Sequence, residues 1–191
     1  MSDVQPGGQA PEEPPPLDPE TLARREAALS RVRQYGDPVL RERARPVEDF
    51  DDALREEAAT MAALMDDALG VGLAATQVGI LHRVLVYRVP GDPESPVHVL
   101  VNPELEWASD ERALFHEGCL SLPGVWVDVE RPAEVRVRAR DAAGEEVVVE
   151  AAGPEASVVQ HEMDHLDGVL ILDRIPRDAR KEAMRILRER A

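Results

Sequence analysis

The sequence predicts an α+β fold. Helical periodicity marks segments near both ends of the chain. Short valine-rich segments with turn signals between them fill the middle. Helices bracketing a run of strands, with no regular β/α alternation and no internal repeat, point to antiparallel sheets with flanking helices. Residues 1–19 hold Pro6, Pro11, Pro14, Pro15, Pro16 and Pro19 among glycines and acidic residues, the composition of a disordered tail. The remainder, residues 20–191, is expected to form one domain. Thr21 to Gln34 has helical composition, with Thr21 as its cap, and Gly36-Asp37-Pro38 breaks it. Asp51 to Leu69 is the strongest helix of the N-terminal half. Leu54, Ala58, Met61, Leu64, Met65 and Ala68 recur at spacings of three and four, and Gly70 and Gly72 end it.

Strands are expected over His82 to Val89 and Val97 to Val101, joined by Pro90-Gly91-Asp92-Pro93. A further strand covers Val125 to Val129. Val135, Val137 and Ala139 alternate with Arg136, Arg138 and Arg140, so one face is buried and the other charged. Asp141-Ala142-Ala143-Gly144 turns that strand back into Glu145 to Glu150 as a hairpin. Pro154 to Leu166 is predicted helical, with Pro154 in its first turn. A last amphipathic helix is expected from Arg177 to Arg190.

A length of 191 residues and a hydrophobic fraction of 43% fit a globular domain, and with only 3% aromatics its core must be aliphatic. No apolar run approaches the roughly 18–20 residues that cross a bilayer, so no membrane partner is expected. The first twenty residues have no apolar stretch and carry Asp3, Glu12, Glu13, Asp18 and Glu20, unlike a secretory signal or an organelle transit peptide. A single cysteine, Cys119, suits a reducing cytoplasm. The net charge of −16 argues against general nucleic-acid binding and any specific DNA partner. Arg174 to Ala191 departs from that average, with seven basic against three acidic residues. Its ordinary reading is a solvated face with i,i+4 ion pairs; docking on the RNA-rich ribosome surface is the sharper one.

The chemistry concentrates in Gln160-His161-Glu162-Met163-Asp164-His165-Leu166. On a helix, His161 and His165 fall on one face about 6 Å apart along the axis, where both imidazoles can bind one metal ion with Glu162 beside it as a proton acceptor. A catalytic site needs a third ligand. His82, His98 and His116 are candidates, and Cys119 is the strongest, in Glu117-Gly118-Cys119-Leu120-Ser121. A thiolate with two imidazoles suits zinc, iron(II), cobalt or nickel. Taken alone, Cys119 reads more readily as a buried free cysteine acting as a small hydrophobe. Gly70-Val71-Gly72-Leu73-Ala74-Ala75-Thr76-Gln77 offers close backbone approach and a carboxamide donor. A phosphate-cradling loop is the rival reading, weakened by the absence of a following lysine.

Together, in this order, the three segments resemble the signature motifs of the peptide deformylase family. Gly36-Asp37-Pro38-Val39-Leu40-Arg41 and Asn102-Pro103 add to a similarity spanning about residues 31 to 175. The resemblance implies a deformylase-like catalytic domain whose antiparallel sheets pack around a central metal-binding helix. It implies one divalent ion, iron(II) (Fe2+) with zinc, nickel or cobalt as replacements, held by Cys119, His161 and His165. Glu162 becomes the general acid/base, while Gln77 and the Leu120 N–H receive the oxyanion. Gly72 presents backbone to the substrate, and Phe115 and Val158 help form the methionine pocket. The implied reaction releases formate from N-formylmethionyl nascent peptides, in the cytoplasm. Glu117 and Arg131 resemble a pair that braces the site, and an ion pair between them is expected. Thr76 stands where many members have proline, Trp126 where some carry arginine, and Ser157 where arginine is frequent. Two alternatives remain open at this level. One is a zinc endopeptidase of the His-Glu-x-x-His type using Asp167 or Asp173; the other is a catalytically degenerate ribosome-associated binding module.

Overall fold

The computed structural model describes residues 16–190 of the chain. Of the expected N-terminal tail, residues 1–15 lie outside the described residues, and Pro19 belongs to the first helix. Helix α1 (Pro19–Leu29) starts two residues before the expected Thr21. Asp18 is its cap, accepting the Glu20 and Thr21 N–H groups at 3.1 and 3.0 Å. Proline fits the first helical position because its missing N–H has no intrahelical partner there. The helix stops at Leu29, short of Gln34.

Helix α2 (Asp52–Asp67) is capped by Asp51 and buries Leu54, Ala58, Met61, Leu64 and Met65, the expected face. Its reversal uses Leu69 at φ 57°, not a glycine. The chain then forms β1 (Gly72–Ala74), a 3₁₀ turn (Ala75–Val78), β2 (Val84–Tyr87), β3 (His98–Ala108), β4 (Arg112–Cys119), β5 (Leu122–Pro132), β6 (Glu134–Arg140) and β7 (Glu146–Ala152). Helix α3 (Pro154–Leu166), a 3₁₀ turn (Ile171–Asp173) and α4 (Arg177–Arg190) complete it; both α-helices match their expected bounds.

The strands form a five-stranded sheet in the order β1-β2-β3-β6-β7 and a two-stranded β4-β5 ribbon, every pair antiparallel. Both faces of β2 are buried. Val84 and Val86 join Leu54, Met61 and Met65 of α2, while Leu85 and Tyr87 join Ala156, Val159 and Leu166 of α3. The sheet is thus clasped between two helices, which puts α3 at the centre. On β6, Val135, Val137 and Ala139 face α3. Arg136 and Arg138 of the same strand pair outward with Glu104, Glu106 and Glu150. A third core layer packs Val125, Val127 and Val129 of β5 against Leu172, Ala183 and Leu187, fixing α4 on the ribbon.

Candidate active site

Helix α3 carries His161, Glu162 and His165, all buried. The end of β4 brings Cys119 to them, its Sγ 3.3 Å from His165 Nε2. Cys119, His161 and His165 each offer one ligand atom, and these atoms lie within 4.8 Å of one another; no other such group of His, Cys, Asp or Glu occurs among the described residues. His82 pairs instead with Glu57 at 2.8 Å, His98 stacks on Tyr87 and His116 pairs with Asp128 at 2.8 Å, so none of the three joins the cluster. Asp167 meets Arg83 at 2.7 Å and Asp173 meets Arg41, so both acidic candidates of the endopeptidase reading are engaged elsewhere. Sulfur and two imidazole nitrogens converging in a buried pocket fit a borderline-soft divalent ion.

The ring of His161 is fixed from behind. Its Nδ1 lies 3.0 Å from Glu117 Oε2, leaving Nε2 for the pocket. Glu117 also accepts from Ser157 Oγ at 2.7 Å and from the Arg131 guanidinium at 2.6 and 3.0 Å. Arg131 continues to Asp164 at 2.8 Å, and Asp164 binds Arg174. The expected Glu117–Arg131 pair is therefore present, inside a longer chain of charges. Burial alone would raise the Glu117 carboxyl, but hydrogen bonds and charge from His161 and Arg131 outweigh it and hold the group at about 2. An ionised Glu117 keeps His161 in one tautomer and orientation.

Glu162 sits differently. Burial pushes its carboxyl up to about 7, opposed by the charge of His161. Its Oε2 is buried and has no hydrogen-bond partner. A group poised near neutrality can both take and return a proton. Gly72 faces it closely: a Cβ there would lie 2.4 Å from Glu162 Oε1.

Gln77 is oriented by its own oxygen, which accepts the Ala74 N–H at 2.9 Å. Its Nε2 then points to Ser121 Oγ at 3.1 Å and Cys119 Sγ at 3.7 Å. The Leu120 carbonyl accepts from Gln34 at 3.2 Å. Gly72, Gln77, Phe115, Cys119, Leu120, Val158, His161 and Glu162 all line one cleft of about 650 Å³. Only His165 of the predicted site residues stays behind its wall.

Sequence reasoning missed Ser121, Gln34 and the hydroxyl of Thr76, which donates to the His165 carbonyl at 3.1 Å and ties the Gln77 turn to α3. It also missed Asp164, although that residue lies within the histidine motif.

A buried sulfur-and-two-imidazole cluster, flanked by a carboxyl of raised pKa and opening on a cleft, defines the chain as a metal-dependent hydrolase. The family description "Polypeptide deformylase" matches residues 29–181. The peptide deformylase of Brucella suis is 50% identical over 141 residues, covering 73% of this chain and 80% of its own. That of Thermotoga neapolitana is 48% identical over 159 residues, covering 83% and 92%. Among solved structures, a peptide deformylase from Legionella pneumophila superposes with a TM-score of 0.78 at 38% identity, over 83% of this chain and 92% of that one. A Synechococcus elongatus peptide deformylase in complex with actinonin gives 0.77 at 42%, over 81% and 85%. The chain belongs to the polypeptide deformylase family. It is a hydrolase that removes the N-formyl group from formylmethionyl peptides in a metal-dependent reaction.

Proposed function

We propose that Cys119, His161 and His165 hold a single iron(II) ion, with zinc, nickel or cobalt able to replace it, and that the other cleft residues divide the work of deformylation. The observation that carries this reading is the mutual approach of the three ligand atoms within 4.8 Å, one helix position from a buried carboxyl. When bound, the ion supplies Lewis-acid activation of water and of the formyl oxygen. Glu162 takes the proton from the attacking water and returns it to the departing amine nitrogen, so that formate and a free N-terminus result. Gln77 Nε2 and the Leu120 N–H donate to the formyl oxygen as negative charge grows on it. Gly72 presents its backbone to the peptide, and Phe115 and Val158 line the space for the methionine side chain. Glu117, braced by Arg131 and Ser157, keeps His161 aligned.

Formate release from formyl-Met-Ala, paired with metal analysis, tests the assignment. Glu162→Ala is expected to lose about 10²–10⁴-fold in turnover while retaining its metal. Loss of metal together with activity would move Glu162 from chemistry to scaffolding. Anaerobic purification is expected to yield about one iron per chain; native zinc would correct the identity of the ion.

The enzyme is placed in the cytoplasm, where a lone thiol stays reduced. Its basic C-terminal helix docks on the ribosome. On α4, Arg185 is neutralised by Glu182 and Glu189. Arg177 and Arg188 have no ion-pair partner among the described residues and supply the contact. Deletion of residues 177–191 should weaken co-sedimentation with ribosomes, and Leu187 and Ala183 in the core make Arg177→Gln/Arg188→Gln the cleaner variant. Equal binding by that variant would sink the idea.

A further inference from the structure

Two arginines line the active-site cleft, and both lie outside the family-matched residues 29–181. Arg25 comes from α1 and Arg190 from the last turn of α4. The first helix is anchored: Ala28 is buried and Leu29 packs into the cluster that also receives Leu120. Half-buried Arg25 is therefore held close to the turn that follows Cys119. Arg190 adjoins the start of β5 just beyond that turn. Gly124, at φ +76°, leaves space that a Cβ would fill, since that atom would come within 2.6 Å of the Arg190 guanidinium.

No salt bridge joins either guanidinium to a carboxylate among the described residues, although Arg180 and Arg185 of α4 are both paired. Among the described residues, the only carboxylates lining the cleft are Glu117 and Glu162, both buried, and Glu117 is already paired with Arg131. The cleft rim thus carries unneutralised positive charge on a chain whose net charge is −16. A general electrostatic effect of this protein would favour cationic peptides; the rim opposes it locally.

We propose that Arg25 and Arg190 are specificity-determining residues that favour acidic side chains in the two or three positions following formylmethionine. The inference rests on the cleft being the deformylation site. An extended peptide advances about 3.3 Å per residue, so the first residues beyond methionine run along the cleft that both arginines line. Partly exposed ion pairs of this kind change binding by roughly two- to fivefold each. Their effect falls as salt rises.

The test uses three C-terminally amidated peptides, formyl-Met-Glu-Glu-Ala, formyl-Met-Ser-Ser-Ala and formyl-Met-Lys-Lys-Ala, with formate release by the metal-loaded enzyme as readout. At low ionic strength the wild type should prefer the glutamate over the lysine peptide by about tenfold in kcat/KM, chiefly through KM. Arg25→Gln/Arg190→Gln should bring that ratio towards one, and Arg25→Glu/Arg190→Glu should invert it. Equal turnover of the charged peptides by the wild type, or an unchanged ratio in the charge-reversed variant, overturns the proposal. The serine peptide separates the two levels: no formate from any peptide rejects the site itself, whereas formate without charge preference rejects only the arginines' role.

Discussion

Gly72 leaves no room for a side chain beside the catalytic carboxyl, since a Cβ added there would lie only 2.4 Å from Glu162 Oε1. Gly72→Ala must therefore displace the carboxyl, and a displacement near 1 Å costs about 10²-fold in turnover. Formate release should show that loss with metal content unchanged; full activity would mean that Glu162 works from another position. Gln77→Ala removes a donor fixed by Ala74 and should lower kcat by about 10²–10³-fold. Arg131 is buried between Glu117 and Asp164. Arg131→Ala would leave buried Glu117 without its guanidinium partner, whereas Asp164 keeps Arg174, at a cost of about 3–5 kcal/mol, and should weaken metal binding by about 10–100-fold. Thermal unfolding and metal titration check the two effects separately. At this scale the motif residues were readable because their chemistry is local in sequence. The hydroxyls of Ser121, Thr76 and Ser157 were not: each finds its partner 40 or more positions away, and nothing in a serine or threonine announces such a partner.

Among the elements, those with a clean period were legible. Helix α2 and β6 bury one face each, and their sequence patterns say so. Strand β4 was missed because it pairs only with β5, and Leu114 on it is 71% exposed. Strand β1 has three residues, too few for any alternation to register. The end of α2 was misread for a different reason: the left-handed residue is Leu69, although glycine follows it. A leucine there carries about 1–2 kcal/mol of strain, so Leu69→Gly should stabilise by about 0.5–1 kcal/mol after the entropic cost of glycine. A lower unfolding temperature in that variant would refute the account. The 3₁₀ turn at Ile171–Asp173 is tied to the N-terminal half by Asp173, which accepts from Arg41 and from the Leu170 N–H. Burial opposes its ionisation, yet these donors prevail and hold the carboxyl below its usual 3.8. A depressed folded value adds stability above pH 3.8 that is lost as the pH falls towards that lower value. Asp173→Asn should accordingly flatten the acid limb of stability against pH, measured by urea unfolding between about pH 3 and 6.

At the level of the whole molecule, the antiparallel α+β architecture was readable from the order of helices and strands, whereas the division into a sheet and a separate ribbon was not. Which strands neighbour one another depends on long-range pairing such as β3 with β6, and the composition of either strand is silent about that choice. The same long-range character governs the centre of the molecule. Gln77 and Cys119 are 42 positions apart, and Cys119 and His165 are 46 apart. Each approach closes a long loop whose entropic cost is met only once the sheet and ribbon have formed. An unfolded chain consequently presents no preassembled trio of ligands, and an ion that selects the folded state stabilises it in proportion to the logarithm of its concentration over its dissociation constant. Stripping the ion with a chelator should lower the unfolding temperature, and restoring it should raise the temperature again with increasing metal. In the proposed metal site Cys119 then doubles as a mechanical fastener: the atom that would complete the ligand set is also the one through which metal supply would set the stability of the fold.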